Sequence, residues 1–96
     1  MKNVVFCSSV PVPLEDEEEF LAAYSLIATR LSGKKGFVSA SVHRGLTSSV
    51  SHAFLVQFEW ADSLSLLQVL RSREVAVFRK HLKWKGTPAI YEPVEF

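Results

Sequence analysis

The sequence is poor in the residues that build covalent or metal-bound scaffolds. Cys7 is the single cysteine among 96 residues, so a disulfide framework within the chain and a zinc site of several thiolates are both excluded. A lone cysteine is typical of a reducing compartment, and we expect Cys7 to be a small buried hydrophobic residue. No apolar run approaches the length of a membrane span or of a signal core. We therefore expect a cytoplasmic protein that does not engage a membrane.

The sequence also lacks a strong net charge and the short motifs of nucleotide chemistry. Its formal net charge is +1, which gives no general attraction to nucleic acid. Acidic residues cluster at 15–19 and basic residues at 71–85, and we interpret both clusters as solvated helix faces. A glycine-rich phosphate loop, a Gly-x-Ser-x-Gly turn and a His-Glu-x-x-His motif are all missing. We therefore expect no cofactor, no bound metal and no nucleic-acid partner.

What the sequence does contain is a series of short apolar segments with clear periodicity. Alternating patterns predict four strands, over 3–10, 37–44, 52–60 and 89–96. Between the first two, an apolar stripe at three- and four-residue intervals predicts a helix, and Asp16 with Glu19 resembles a capping box at its start. A second helical region follows the third strand, capped by Asp62 or Ser63 and broken at Ser72, which can cap its second half.

The predicted order is β-α-β-β-α-β, which is that of a ferredoxin-like α+β fold with a four-stranded antiparallel sheet. The length fits a single domain over 1–96. Helices can cover only one face of such a sheet, while the other face carries apolar residues from several strands. Because soluble proteins rarely leave a large apolar patch bare, we expect a homodimer through sheet faces.

Several short motifs, taken in their order, resemble the antibiotic biosynthesis monooxygenase branch of the dimeric α+β barrel superfamily. The resemblance covers nearly the whole chain. It rests on Gly-Phe at 36–37, on Phe-Glu-Trp-Ala-Asp-Ser at 58–63, on Ser-Arg-Glu at 72–74 followed by Phe-Arg-Lys at 78–80, and on 88–92 as the last strand.

The resemblance implies a homodimer, the dimeric α+β barrel, with a pocket between sheet and helices in each subunit. Enzymes of this family oxidise aromatic polyketides without a prosthetic group, isomerise small ring compounds or degrade haem. The haem-degrading members use an Asn, a Trp and a His at positions that fall here on Cys7 or Ser8, on Val69 and on Arg79. None of the three matches, so the resemblance disfavours haem degradation.

The third predicted strand places His52, Phe58 and Trp60 on one face. If that face lines a pocket, His52 is a candidate general base and the two aromatic rings could stack on a planar substrate. The alternative is that Phe58 and Trp60 are core residues and that His52 is a solvated residue at the start of the strand.

Three further residues are candidates for the site. His43 lies beside Arg44, which would favour its neutral, basic form, although histidines at strand ends are usually surface groups. His81 could help to bind an anionic ligand or could be a solvated helix residue. Tyr91 could donate a hydrogen bond to a substrate or pack at the dimer seam.

Two functional hypotheses follow from the sequence. The first is a cofactor-independent monooxygenase that acts on a small hydrophobic or aromatic molecule, with His52 or His43 as the base and Trp60 and Tyr91 shaping the cavity. The second is a non-catalytic dimeric module that binds a small ligand or serves a stress response. An open cavity that contains a histidine or tyrosine, with a copurified ligand, would favour the first hypothesis, and a closed pocket filled by Phe54, Phe58 and Trp60 would contradict it.

Overall fold

The computed structural model describes residues 3–47 and 50–95. Four strands alternate with helices along the chain: β1 (Val4–Pro11), α1 (Glu17–Leu31), β2 (Phe37–Arg44), β3 (Ala53–Trp60), α2 (Ser63–Leu70), α3 (Arg73–His81) and β4 (Thr87–Tyr91), with a 3₁₀ turn at Leu14–Asp16 before α1. The strands form one antiparallel sheet in the order β2-β3-β1-β4. This confirms the predicted ferredoxin-like α+β fold, with the second helical region divided into α2 and α3.

Two of the predicted helix caps are confirmed. The side chain of Asp62 accepts a hydrogen bond from the backbone N–H of Ser65 at the start of α2 (2.7 Å). The Ser72 hydroxyl accepts one from the N–H of Val75 at the start of α3 (3.3 Å). Because Ser72 has extended backbone angles, it ends the first helical segment and opens the second.

The capping box predicted at Asp16 is wrong. Asp16 makes no side-chain cap at the start of α1. Its carboxylate accepts a hydrogen bond from Trp84 Nε1 (3.0 Å) and pairs with Lys83 (3.4 Å) instead. The residue therefore ties the α3–β4 connection to the beginning of α1, a contact over 68 positions that local sequence patterns do not encode.

Three of the four predicted strands have different bounds in the structure. β1 is shifted by one residue, to Val4–Pro11, and β4 begins two residues earlier than predicted, at Thr87. β3 begins at Ala53, because His52 adopts a left-handed φ of 66° in the preceding turn and so leaves the strand alternation. β4 ends at Tyr91 rather than continuing to the end of the chain, and Phe96 lies outside the described residues. The alternation within β3 from Phe54 onwards is as predicted.

The sheet has one face against the helices and one open face. The helix-covered face carries Phe6 and Ser8 of β1 next to Phe58 and Val56 of β3, and these four side chains lie at the centre of the sheet. The core above this face is made by α1, whose stripe of Phe20, Tyr24, Ile27 and Leu31 is buried as the periodicity predicts.

Gly36 joins α1 to β2 and has a conformation that favours glycine. Its φ is 86°, and a Cβ atom there would overlap the Ser65 side chain at the start of α2. The carbonyl of Gly36 accepts a hydrogen bond from the N–H of Ala61 (2.7 Å), just after β3. This glycine thus lets α2 pack closely beside the end of β3.

Candidate functional site

A cavity of about 950 Å³ lies between the helix-covered face of the sheet and the helices. Its floor is formed by side chains of β1 and β3, among them Phe6, Ser8 and Phe58. This volume is at the upper end of the roughly 300–1,000 Å³ typical of small-molecule pockets. The cavity lies where the resemblance implies a pocket.

The walls of the cavity come from all three helices and are mainly apolar. Helix α1 contributes Tyr24, Ile27 and Leu31, and α2 and α3 contribute Leu66, Val69, Val75 and Phe78. The Tyr24 and Phe78 rings meet edge to face with their centroids 5.4 Å apart. Aromatic contacts of this kind hold the walls in a defined geometry and leave a surface suited to a planar apolar ligand.

Two tryptophans line the cavity, and their indole N–H groups differ in environment. Trp84 donates its Nε1 hydrogen to Asp16 (3.0 Å), and its ring packs edge to face on Phe20. Trp60 is 1% exposed, and its Nε1 has no hydrogen-bond partner in the described part of the chain. A buried donor without a partner costs about 1–3 kcal/mol, so Trp60 Nε1 is a polar group that a ligand oxygen could satisfy.

Tyr24 is the titratable residue of the apolar wall. Burial raises the pKa of its phenol above the ordinary value of 10.0, because the charged form is poorly solvated there. The group is therefore neutral at physiological pH, and it can donate or accept a hydrogen bond but does not act as a ready-made anion. Ser8 adds a hydroxyl to the floor.

The rim of the cavity is formed by the end of α3 and by the connection from α3 to β4. Arg79, Lys80 and Lys85 are cavity-lining residues on this side, and all three are exposed. Gly86 follows them, and a Cβ atom there would overlap the side chains of Ser8 and Val10 on β1. The connection therefore lies directly on the sheet, which fixes the position of the rim.

The open face of the sheet bears a second, shallower hollow of about 540 Å³. It is lined by alternate residues of β1, β3 and β4, including Cys7, Leu55, Gln57 and Tyr91. Gln57 Nε2 donates to the sulfur of Cys7 (3.6 Å), and Cys7 is buried although no helix covers this face. The hollow is separated from the larger cavity by the sheet itself.

The structure brings together only some of the residues predicted for the site. Phe58 and Trp60 are buried and line the large cavity. His52 lies in the exposed turn before β3, and its carbonyl accepts a hydrogen bond from the N–H of Val12 (2.7 Å). His81 is the exposed last residue of α3 and is not among the lining residues.

The remaining two candidates lie on the open face. His43 pairs with Leu55 in the β2–β3 ladder and is exposed. Tyr91 pairs with Val5 at the opposite edge of the sheet. The structure thus separates the three histidines from the aromatic residues of the cavity.

Sequence reasoning assigned no site role to several cavity residues. The periodicity predicts Tyr24 only as part of the apolar stripe of α1, and the resemblance singles out Ser8 only as one of two positions aligned with the Asn of the haem-degrading members. One signal for Ser8 was available, because it follows Phe6 at an interval of two and so shares the inward face of β1. No sequence feature predicts that Arg79 and Lys85 line the cavity, because a run of basic residues at a helix end is usually solvated.

The described residues contain no candidate metal-binding cluster and no helix suited to span a membrane. Within 3–47 and 50–95, no group of three or more His, Cys, Asp or Glu side chains could hold a metal ion. In the same ranges, no helix is both long enough and apolar enough to cross a bilayer.

Comparison with solved structures finds several proteins that share this fold. A candidate antibiotic biosynthesis monooxygenase from Deinococcus radiodurans superposes with a TM-score of 0.79 at 20% identity, over 97% of this chain and 94% of that one. A point variant of SnoaB, a cofactor-independent oxygenase from Streptomyces nogalater, superposes with a TM-score of 0.86 at 14% identity, over 100% and 97% of the two chains.

A haem-degrading protein from Mycobacterium tuberculosis shares the same fold. It superposes with a TM-score of 0.78 at 15% identity, over 99% of this chain and 94% of that one. No protein-family model and no curated protein matches the chain. At these identities the likeness establishes the fold, so the resemblance to antibiotic biosynthesis monooxygenases is confirmed at that level, and the site itself must support any function.

Proposed function

We propose that this protein is a cofactor-independent oxygenase that binds a small aromatic or other hydrophobic molecule in the cavity between sheet and helices. The observation that carries the proposal is the cavity of about 950 Å³, with aromatic side chains in its floor and walls. Solved structures with the same fold include a cofactor-independent oxygenase and candidate monooxygenases, which supports this class of chemistry.

The lining suits a flat apolar ligand. Phe6 and Phe58 lie in the floor, while Phe78 and Trp84 lie in the walls, so rings are available on several sides. Such a ligand gains by removing its apolar surface and that of the rings from water, at about 25 cal/mol per Å². Its position would be fixed by the few polar groups present, as in most small-molecule sites.

The proposed reaction draws its electrons from the substrate. An activated methylene loses a proton, and the resulting carbanion reduces dioxygen. One oxygen atom becomes a carbonyl on that carbon, and the other leaves as water with the two former methylene hydrogens. The carbon gives up four electrons and dioxygen accepts four, so no external reductant is required. The role of the cavity is to exclude water and to orient the substrate.

Trp60 is the residue that we assign to the developing oxyanion of the substrate. Its Nε1 is a buried donor without a partner, and the residue lines the cavity. The indole N–H is buried in this conformation, so contact with a ligand requires the lining side chains to move slightly. Once in contact, this N–H donor would stabilise the negative charge that develops on the substrate oxygen in the transition state.

No histidine or carboxylate lies among the described cavity-lining residues. Neither His43 nor His52, the bases expected from the sequence, reaches this lining. We therefore propose that the methylene proton leaves to solvent at the exposed rim. This requires a substrate whose methylene C–H is itself unusually acidic. This limits the substrate to molecules whose methylene is flanked by carbonyl or aromatic groups.

Anthrone is a suitable probe because its methylene has this activation and its product, anthraquinone, absorbs differently. We expect the protein to accelerate anthrone oxidation and oxygen consumption in a buffer that contains a metal chelator. Trp60→Phe keeps an aromatic ring and removes the donor, so the turnover rate should fall about 100-fold while the affinity changes little. The measurements are absorbance, an oxygen electrode and fluorescence titration.

Trp84→Phe is the matched control, since the Nε1 of Trp84 is already bonded to Asp16. Because it removes an N–H that has a partner within the protein, it should lower turnover much less than Trp60→Phe does. Binding of anthrone without any oxygen consumption would contradict the oxygenase and leave a binding protein. Equal turnover by Trp60→Phe and the parent would remove Trp60 from the reaction.

We also propose that a second copy of the chain covers the open face of the sheet. The face carries few charged groups, among them Glu59 of β3 and Glu92, which follows β4 and lines the hollow. Asn3 and Ser39 donate hydrogen bonds to the carboxylate of Glu59. Leu55 is 39% exposed and Tyr91 59% exposed on this face. A twofold axis places the same surface against itself, and a face with little charge avoids opposing like charges.

The dimer can be tested by light scattering after gel filtration at micromolar concentration. We expect twice the chain mass for the parent protein and a monomer for Leu55→Glu, because the substitution buries a carboxylate at the seam. Leu26→Glu is the matched control, since Leu26 is an exposed residue of α1. A monomeric parent protein with native circular dichroism would contradict the proposed dimer.

A further inference from the structure

The lining of the large cavity carries charge of one sign. Arg79 and Lys80 on α3 and Lys85 in the connection to β4 are lining residues, and the described lining contains no Asp or Glu. The chain as a whole has nearly balanced charge, +1, so this imbalance is local to the rim. A rim of cations beside an apolar interior raises the local concentration of anionic amphiphiles.

The three rim cations have no ionic partners within the described chain. The ion pairs found there use Lys34 with Glu74, Arg44 with Glu17, and Lys83 with Asp16 and Glu19. Lys83 lies in the same connection as Lys85, yet its charge is met by two carboxylates and it does not line the cavity. The neighbouring cations of the rim therefore remain available to a ligand.

We propose that the ligand of the cavity is an apolar carboxylate, with its hydrocarbon body among the aromatic side chains and its carboxylate at the rim formed by Arg79, Lys80 and Lys85. This inference rests on the proposed function for the identity of the cavity as the binding site. The planar guanidinium of Arg79 can meet both oxygens of a carboxylate, and the two ammonium groups add charge without demanding one geometry.

The arrangement has a consequence for the orientation of the substrate. The rim lies at the end of α3, whereas Trp60 lies at the end of β3 beside Gly36 and the start of α2. A carboxylate held at the rim directs the opposite end of the molecule into the apolar interior. The cations would thus select the ligand and fix which end of it enters first.

A pair of probes that differ only in charge tests the inference. Anthracene-2-carboxylate and anthracene-2-carboxamide have similar size and fluorescence, and dodecanoate serves as an aliphatic carboxylate. At low salt we expect the aromatic carboxylate to bind about tenfold more tightly than the amide. This preference should shrink as salt is raised to about 1 M, where the screening length falls to about 3 Å. Comparison with dodecanoate distinguishes aromatic from aliphatic carboxylates.

Matched variants test whether the rim cations cause the preference for the carboxylate over the amide. Arg79→Gln should reduce it, and the triple change Arg79→Gln, Lys80→Gln and Lys85→Gln should abolish it while amide binding persists. Lys83→Gln removes one positive charge from the same connection and should leave the preference unchanged. Circular dichroism and amide binding report whether each variant is folded.

The outcomes separate this inference from the proposed function. Equal affinity for carboxylate and amide, or a preference that survives in the triple variant, would overturn the charged rim while anthrone oxidation could stand. A carboxylate preference that depends on the rim would uphold it even where no oxygen is consumed. If neither the aromatic probes nor dodecanoate binds, the cavity is not a site for apolar ligands and both proposals fail.

Discussion

The two faces of the one sheet differ in what covers them, although the same strands build both. On β3, Phe54 faces the helices and is 4% exposed, while its neighbour Leu55 faces the open side and is 39% exposed. Both are large apolar residues in one strand. The exposure of these strand residues therefore depends on whether α1, α2 and α3 pack over them, and not on how hydrophobic each residue is.

The largest effect should come from truncating a side chain of the helix-covered face. Phe54→Ala removes a ring that stacks on Phe20 with centroids 4.9 Å apart and leaves a cavity in the core, so we expect a loss of about 3–5 kcal/mol in the free energy of unfolding. Leu55→Ala on the adjacent, open side should cost about 1 kcal/mol or less at low protein concentration. Urea denaturation measures both, and equal losses would contradict the contrast between the faces.

The next effect concerns the glycine that lets α2 approach the covered face. Gly36→Ala places a Cβ atom against Ser65 at a φ of 86°, and we expect it to destabilise the protein by about 1–3 kcal/mol. Gly33→Ala is the matched control three residues earlier, where the nearest atom to a new Cβ is 3.9 Å away. It should be neutral or stabilising by up to about 1 kcal/mol. If Gly36→Ala leaves the free energy of unfolding unchanged, α2 can move away from β3 without destabilising the protein.

A smaller effect should come from the contact that ties the α3–β4 connection to α1. Trp84→Phe and Asp16→Ala each break the hydrogen bond between the indole and the carboxylate. A double-mutant cycle isolates it, and we expect a coupling free energy of about 1–2 kcal/mol. Thermal or urea denaturation of the four proteins gives this value. A coupling near zero would mean that Gly86 and the apolar contacts alone hold the connection on the sheet.

The smallest effects should appear in the pH dependence of the free energy of unfolding, and they come from the side chains of Asp62 and Lys83. The backbone N–H of Ser65 lowers the pKa of Asp62 below its ordinary value of 3.8. A lowered pKa means that this stabilisation is present above about pH 4 and is lost as pH falls through the folded-state pKa. In Asp62→Asn the acid limb of the stability profile between about pH 5 and pH 2 should therefore be shallower than in the parent.

Lys83 should act at the opposite end of the pH range. Asp16 first and Glu19 second raise its pKa above the ordinary value of 10.5. Its stabilisation is complete below that value and is lost as pH rises through the higher folded-state pKa. Lys83→Gln should flatten the alkaline limb of the stability profile, as followed by circular dichroism against pH.

The two-residue periodicity of β3 predicts some residues of the proposed site correctly and one wrongly. Phe58 and Trp60 were placed on one strand face from an interval of two, and both line the cavity. His52 obeyed the same interval but leaves the strand through its left-handed φ. The backbone angle of His52 therefore removes this residue from the helix-covered face of β3, and residue spacing alone does not predict that angle.

The sequence alone determined the element order, the sheet, the division of the second helical region at Ser72 and the apolar stripe of α1, because periodicity and caps are local properties. Three relations depend on the folded chain. Asp16 accepts a hydrogen bond from Trp84 instead of capping its own helix, Cys7 and Tyr91 share the open face, and the cations at 79, 80 and 85 meet at one rim. Those relations join residues distant along the chain. Their geometry depends on how helices pack on the sheet, which no local pattern encodes.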